Sequence, residues 1–356
     1  EYVLARKENR RKYAGVDEDI ETVATPYEGD EKYIAPTRAR KPAPKSVAVP
    51  GWPFDAKRAA KMQGGHQTLK VDLGGGQELR LVHIPAGQFV MGDANGYADE
   101  RGLAAVTIDR PFWMLQTEIT NAQFARFAPH HDSGVYDMRW KDQVNRGYYV
   151  NQPDKPAIRM SWQQAMAFCR WLANRTGRAF TLPSEGEWEW ACRAGTDSPL
   201  SYGTAQTDFA SFANLADVTT RKLVVTGVNP RPVRNPHALA SYLPAAFGVD
   251  DKTLHLAPPA TYQANAWGLH DMHGNVAEWT RSLYRPYPYR KDDGRNDLDD
   301  TGAERVVRGG SWHDRPRQAR SAHRSAYPAW QRVFNVGFRV VCPIGKTDSA
   351  RRASLR

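Results

Sequence analysis

Alternation and helical spacing separate a patterned front part of this chain from an unpatterned rear. The stretch "LRLVHIPAGQFVMG", starting at Leu79, alternates apolar and polar positions around Pro85–Gly87, which predicts strand, turn and strand in a compact region that opens near Leu69. Three capping boxes then predict helices. Thr120 with Gln123 opens "NAQFARFA"; Ser161 with Gln164 opens "WQQAMAFCRWLANR", closed by Gly177; Ser184 with Glu187 opens "EGEWEWACRA", closed by Gly195. In the second helix Ala165, Phe168 and Leu172 keep helical spacing, so one face belongs to the core. From about residue 196 to 342 the chain is rich in Gly, Pro, Asn and Trp and has little periodicity. So much irregular chain in a compact domain needs something besides backbone ladders to hold it.

The ends read differently. Residues 1–65 carry charged runs such as "RKENRRKY" and "DEDIE", then the proline-rich "APTRARKPAPKSVAVPGWP", which favours extended chain over a packed core. This arm is expected to gain order only against its own domain or a neighbour, because ordering needs binding energy to offset chain entropy. A domain at 66–345 and a basic tail at 346–356 complete the division. The sequence begins with Glu1 and is read as a processed or partial chain.

Composition removes several function classes. With 356 residues, 41% of them hydrophobic, the chain can bury a sizeable core. The longest apolar candidate, "ALASYLPAAFGV", is broken by Pro244 and falls short of the roughly 18–20 residues a membrane helix needs. Cys169, Cys192 and Cys342 are too few and scattered for a disulfide scaffold or a structural zinc site. The net charge of +10 suggests nucleic acid until it is located: residues 301–356 hold 12 basic and 3 acidic side chains, and every basic one except Lys346 is arginine. Arginine suits buried ion pairs as well as phosphates, so these residues read as braces and argue against a nucleic-acid partner.

In order along the chain, "IPAGQFVMG", "EITNAQF", "PAIRMSWQQAMAFCRWL", "TLPSEGEWEWACRAG", "NAWGLHDMHGNVAEWT", "RVVRGGSW" and "NVGFRVV" resemble the formylglycine-generating enzyme family, also called sulfatase-modifying factors, over about residues 79–341. The resemblance implies an α+β domain of the formylglycine-generating-enzyme type, a variant of the C-type lectin fold with short sheets, few helices and much coil. It also implies calcium, one ion or two, and an extracytoplasmic setting. Carried over by position, one site uses the carbonyls of His273, Gly274 and Val276 with the side chain of Glu278; in the bland alternative Glu278 caps a turn and pairs with an arginine. The residues agree with calcium, since a Gly-Asn turn exposes carbonyls just ahead of a carboxylate and calcium takes roughly 6–8 oxygens. A second site uses Asn214 and the carbonyl of Leu215 with Asp251 and the carbonyl of Thr253, Asp250 being the alternative to Asp251.

In family members that oxidise a sulfatase cysteine to formylglycine, a cysteine pair in the segment after "RGGS" binds copper(I). Here that segment reads "WHDRPRQARSAHRS"; Pro316 falls at one cysteine position and the other has no counterpart, so no copper is expected. His313, Asp314 and His323 are the ligand types of a non-heme iron site, but His313 and Asp314 are adjacent and point to opposite faces of an extended strand, so iron is not expected either. His270 and His273 form a weaker pair of the same kind. The resemblance also leaves a Cys169–Cys342 disulfide open, Val340 occupying the family's last-strand cysteine position, and places Ser321 where Cys192 has its usual partner, making Cys192 a buried free thiol.

Two functional readings follow. The first is a calcium-braced binding or structural module, without formylglycine-generating activity, that meets a protein partner through residues 1–65 and the surface at 312–335, where Trp312, Tyr327, Trp330 and Phe334 interleave with Arg315, Arg317, Arg320 and Arg332. The second is a cysteine-independent, metal-dependent oxidoreductase acting on a peptide-like substrate in a cleft lined by His313, Asp314, Arg317 and His323.

Overall fold

A computed structural model describes residues 47–65, 68–136, 148–219, 246, 248–300 and 302–344. Within them the architecture is α+β, with few helices and short strands, as expected. One sheet pairs β1 (Thr68–Gly74), β2 (Gln77–Ile84), β5 (Phe112–Leu115) and β12 (Val341–Pro343) in that order, each pair antiparallel. A hairpin of β3 (Gly87–Met91) and β4 (Ala104–Ile108) and a short pair, β6 (Val135–Tyr136) with β7 (Tyr148–Tyr149), stand apart. The second sheet runs β10 (Ser325–Pro328), β9 (Glu304–Arg308), β8 (Ala277–Leu283) and β11 (Val336–Gly337), with β11 parallel to β8.

The capping boxes set the helices. Thr120 caps only one turn, α2 (Asn121–Phe124), shorter than its periodicity suggests. Ser161 and Gln164 close their box on α3 (Trp162–Thr176), which ends at Gly177 with φ 68°. Ser184 and Glu187 do the same for α4 (Glu185–Arg193), whose left-handed cap is Ala194 rather than Gly195. Gly195 answers a packing demand instead, since a Cβ there would lie 2.5 Å from the Phe54 ring. The apolar face of α3 packs Phe168 and Leu172 into a core shared with Trp279, Val336 and Phe338, while Trp188, Trp190 and Trp267 anchor a second core around α4.

Two expectations change. Part of the segment read as an arm is folded onto the domain: Asp55 accepts from the Arg58 N–H at 2.8 Å to start α1 (Ala56–Gln63), and the Gln63 amide donates to the carbonyls of His83 and Trp267. Residues 1–46 and 345–356 lie outside the described residues. Cys169 and Cys342 share a core but are both free thiols.

Candidate functional site

The terminal arginines are built into the fold from α4 outward. The box at Ser184 starts α4 so that Glu185 and Glu189, four residues apart, share a buried face. Glu189 accepts from the Gly92 N–H and from Arg193, both at 2.9 Å, and from Arg308. Glu185 accepts from Arg324 Nε at 2.5 Å and from the Tyr287 hydroxyl, with Arg295 at 3.6 Å. Nearby, Arg320 reaches both Asp93 and Glu100 at 2.7 Å, and His323 Nδ1 lies 3.0 Å from Glu100. Burial alone raises a carboxyl, but at Glu100 the hydrogen bond and charge of His323, joined by Arg320, prevail and hold it near 2.

Of the residues proposed for an iron centre or catalytic cleft, Arg317 and His323 meet on the Tyr97 ring, whereas His313 and Asp314 make other contacts. The His313 ring sits edge-on to Trp312 and Phe334, at 5.3 and 5.5 Å between centroids. Asp314 accepts from the N–H and hydroxyl of Ser311 at 2.9 and 2.6 Å. Arg317 stacks over Tyr97 at 5.1 Å, and His323 is on Glu100. Of the second histidine pair, His270 Nδ1 bonds the Tyr262 carbonyl at 2.7 Å, while His273 is fixed at both nitrogens as described below. Among the described residues no three His, Cys, Asp or Glu side chains gather around one point.

The carbonyl loop is drawn against the segment at 214. Gly274 needs its freedom twice: φ is 88°, and a Cβ would stand 2.2 Å from the Asn214 carbonyl oxygen. Asn275 completes the junction, its N–H donating to the Asn214 carbonyl at 2.8 Å, its side-chain oxygen accepting from Asn214 at 3.0 Å and its amide donating to Glu118 at 3.0 Å. Glu278 does not fit the role expected of it. Only 1% exposed, its two oxygens take the Arg339 guanidinium at 2.6–2.8 Å and the Trp188 indole N–H at 2.8 Å. A cation beside it would compete with a charge already in place, so the carbonyls of His273, Gly274 and Val276 lack the carboxylate they were paired with.

Part of the second set converges, while the Asn214 amide donates to the His255 carbonyl at 2.7 Å and to Asn275. Asp251 accepts from the Leu215 N–H at 3.0 Å and the Thr253 N–H at 2.8 Å; Asp250 is instead turned to Lys252 at 2.7 Å. Sequence reasoning missed Asp217, whose carboxylate accepts from the Asp251 N–H at 2.6 Å and from Thr219, and Thr219 in turn donates to the Thr253 carbonyl at 2.9 Å. Burial, then the neighbouring Asp217, push the Asp251 carboxyl up to about 7 in spite of its backbone hydrogen bonds. Two buried carboxylates side by side, with the Thr253 carbonyl beside Thr219, are hard oxygen donors of the kind calcium takes. The signal was legible, since Asp217 follows Leu215 by two residues. Glu118 and Asp271 were also missed. Each is buried with one oxygen unpartnered among the described residues; Glu118 is raised well above the ordinary range by burial and by Asp271, and Asp271 to about 6 by burial.

Cys192 stands where expected, as a buried free thiol 3.6 Å from the Ser321 hydroxyl and 3.5 Å from His273 Nε2. Burial pushes it up to about 12, so it stays a thiol. His273 donates from Nδ1 to the Ala319 carbonyl at 2.7 Å and accepts at Nε2 from the Ser201 N–H at 3.0 Å; burial holds it down near 4.

With this geometry in hand, the sequence profile of the sulfatase-modifying factor enzyme 1-like domain matches residues 75–344. The chain belongs to the sulfatase-modifying factor family. It is 28% identical over 302 residues to the formylglycine-generating enzyme of Streptomyces coelicolor, covering 72% of this chain and 87% of that protein. It is 25% identical over 320 residues to the mouse (Mus musculus) protein named inactive C-alpha-formylglycine-generating enzyme 2, covering 78% and 90%. Among solved structures, PvdO from Pseudomonas aeruginosa superposes with a TM-score of 0.57 at 23% identity, covering 77% of this chain and 98% of PvdO, a likeness of fold. In this chain the segment that follows Ser311, residues 312–325, contains no cysteine.

Proposed function

We propose that this sulfatase-modifying-factor domain is a calcium-braced binding module and not a copper-thiolate oxidase. One observation carries the reading: the segment after Ser311 holds no thiol, and the three cysteines of the chain lie at 169, 192 and 342, all buried. Soft thiolates select copper(I), and the histidine, aspartate, arginine and proline side chains that fill the segment do not replace them. The name of the mouse relative, an inactive enzyme of comparable length, agrees with this. Calcium would be held by the carboxylates of Asp251 and Asp217 with Asn214 and the carbonyls of Leu215 and Thr253. When bound it supplies charge neutralisation, and the protein's own residues do the rest by tying 214–219 to 251–253. An extracytoplasmic setting, where free calcium is plentiful, suits such a brace.

The partner surface is narrower than residues 312–335 as a whole. Trp312 and Arg320 are buried and Arg317 stacks over Tyr97, whereas Arg315, Arg332 and Trp330, the last 70% exposed, face solvent and would meet a protein partner, with residues 1–65 as a second contact. The test is incubation with copper(I), oxygen and a peptide bearing a sulfatase cysteine, followed by mass spectrometry. The peptide is expected to remain a thiol; its conversion to the aldehyde contradicts the proposal. For the surface, a photo-crosslinker near Trp330 in the full chain should capture one defined protein, and Trp330→Ala should weaken that complex.

A further inference from the structure

At the closed end of the β1–β2 hairpin, two arginines from different elements meet over three glycines. We propose that they hold a phosphate group, as the free ion or as a small monoester. This goes beyond the reading above and uses neither the loops around Leu215 nor residues 312–335.

The stretch "DLGGGQ" turns the chain at Gly75 and Gly76, with φ of 61° and 75°, after Gly74 at 73°. Left-handed backbone of this kind suits glycine, and it leaves the turn bare of side chains. Arg126, just beyond α2, and Arg175, in the last turn of α3, lie over the bare surface. A Cβ on Gly75 would stand 2.8 Å from Arg126 Nη1, and one on Gly74 would stand 3.3 Å from Arg175 Nη2 and 3.5 Å from Arg126 Nη2. The two Nη2 atoms are therefore no more than about 7 Å apart, a gap that two oxygens of one phosphate span when each accepts at about 2.8 Å. Both side chains are oriented through Nε. Arg126 donates to the Leu73 carbonyl at 3.3 Å and Arg175 to the Asp72 carbonyl at 3.4 Å, and Arg175 also lies over the Trp171 ring, 6.0 Å from its centroid.

Neither guanidinium has an ion pair among the described residues. The acidic side chains of the hairpin are engaged otherwise: Asp72 accepts from the Gly74 N–H at 2.7 Å, and Glu78 pairs with Arg80 at 2.8 Å and Lys70 at 3.7 Å. Two like charges held over one residue repel a metal ion and favour an anion. Among anions, phosphate brings up to two charges and several oxygens to match two planar forks, which a single carboxylate does not.

The test is a phosphorus NMR titration of the full chain with inorganic phosphate and with methyl phosphate at constant ionic strength, with acetate as competitor. Phosphate is expected to saturate one site, and acetate to displace it only at about tenfold higher concentration. Tight binding of methyl phosphate would support a monoester as the natural occupant, and binding of inorganic phosphate alone the free ion. Arg126→Gln and Arg175→Gln should each lower the affinity about tenfold, while Arg110→Gln, at another exposed arginine, should leave it unchanged. Both substituted side chains are exposed, and unaltered urea unfolding of the variants would separate lost binding from lost structure. No saturable binding to the parent protein, displacement by acetate at equal concentration, full affinity in both variants, or an equal loss in Arg110→Gln would each overturn the assignment.

Discussion

Glu185 and Glu189 on α4 are buried among the guanidinium groups of Arg193, Arg295, Arg308 and Arg324, whereas Asp217 and Asp251, also buried, are held by backbone N–H groups. The first region brings its counter-charges with it. In the second, Asp217 lies close enough to Asp251 to raise that carboxyl above its ordinary range, an arrangement that favours an added cation. Rigidity is thus reached in two ways under the proposed reading: internal ion pairs fix the terminal segment, and a bound cation would complete the loops around Leu215. The terminal segment is therefore held by ion pairs between its own side chains and those of α4.

The comparison can be broken most forcefully at Arg308. Arg308→Met leaves Glu189 with one guanidinium fewer in a buried site, and a loss of about 3–5 kcal/mol is expected in urea unfolding, unchanged by calcium. A calcium-dependent loss would join the two regions that are here kept apart. Gly274→Ala comes next. The left-handed backbone alone costs about 1–3 kcal/mol, and the clash with the Asn214 carbonyl should separate the loops and weaken calcium binding together with stability.

Acid tests the pairing of Glu100 through the difference between parent and variant, since Asp251 titrates as well. Glu100 is depressed in the folded chain from its ordinary value of 4.5 to about 2, so the stability it contributes is complete above about 4.5 and is lost as the pH falls through 2. The stability gap between the parent protein and Glu100→Gln should therefore shrink across that interval in urea titrations; a gap independent of pH would mean that the pairing with His323 and Arg320 does not form. The smallest effect is expected of Ser321→Cys, which places a thiol beside Cys192 at the junction of the two regions. Oxidation should consume two thiols by thiol titration, and failure to do so would show the two side chains to be farther apart than 3.6 Å.

What was legible in the sequence was local. The boxes at Ser161 and Ser184 place α3 and α4 because a capping box is a contact within four residues. The helix α1 escaped notice because "AKRAAKMQ" buries only Ala59 and Gln63, with Met62 packed at the edge of the core, too little apolar signal to stand out beside a proline-rich stretch. The strands β10 and β11 are four and two residues long, below the length at which alternation can be read. At the site, a resemblance could put Leu215 and Asp251 together, but it also offered Glu278 to a cation. Its true partner, Arg339, lies 61 residues away and meets it only because β11 runs parallel to β8. The bracing role of the arginines was legible from their kind; their partners on α4, up to 139 residues distant, were not.

The most direct test is elemental analysis of the full chain purified without chelator, beside Asp251→Asn. The account predicts calcium near one ion per chain, its loss in the variant, and neither copper nor iron in stoichiometric amount. Calcium retained by Asp251→Asn, or copper or iron at one per chain, would contradict it.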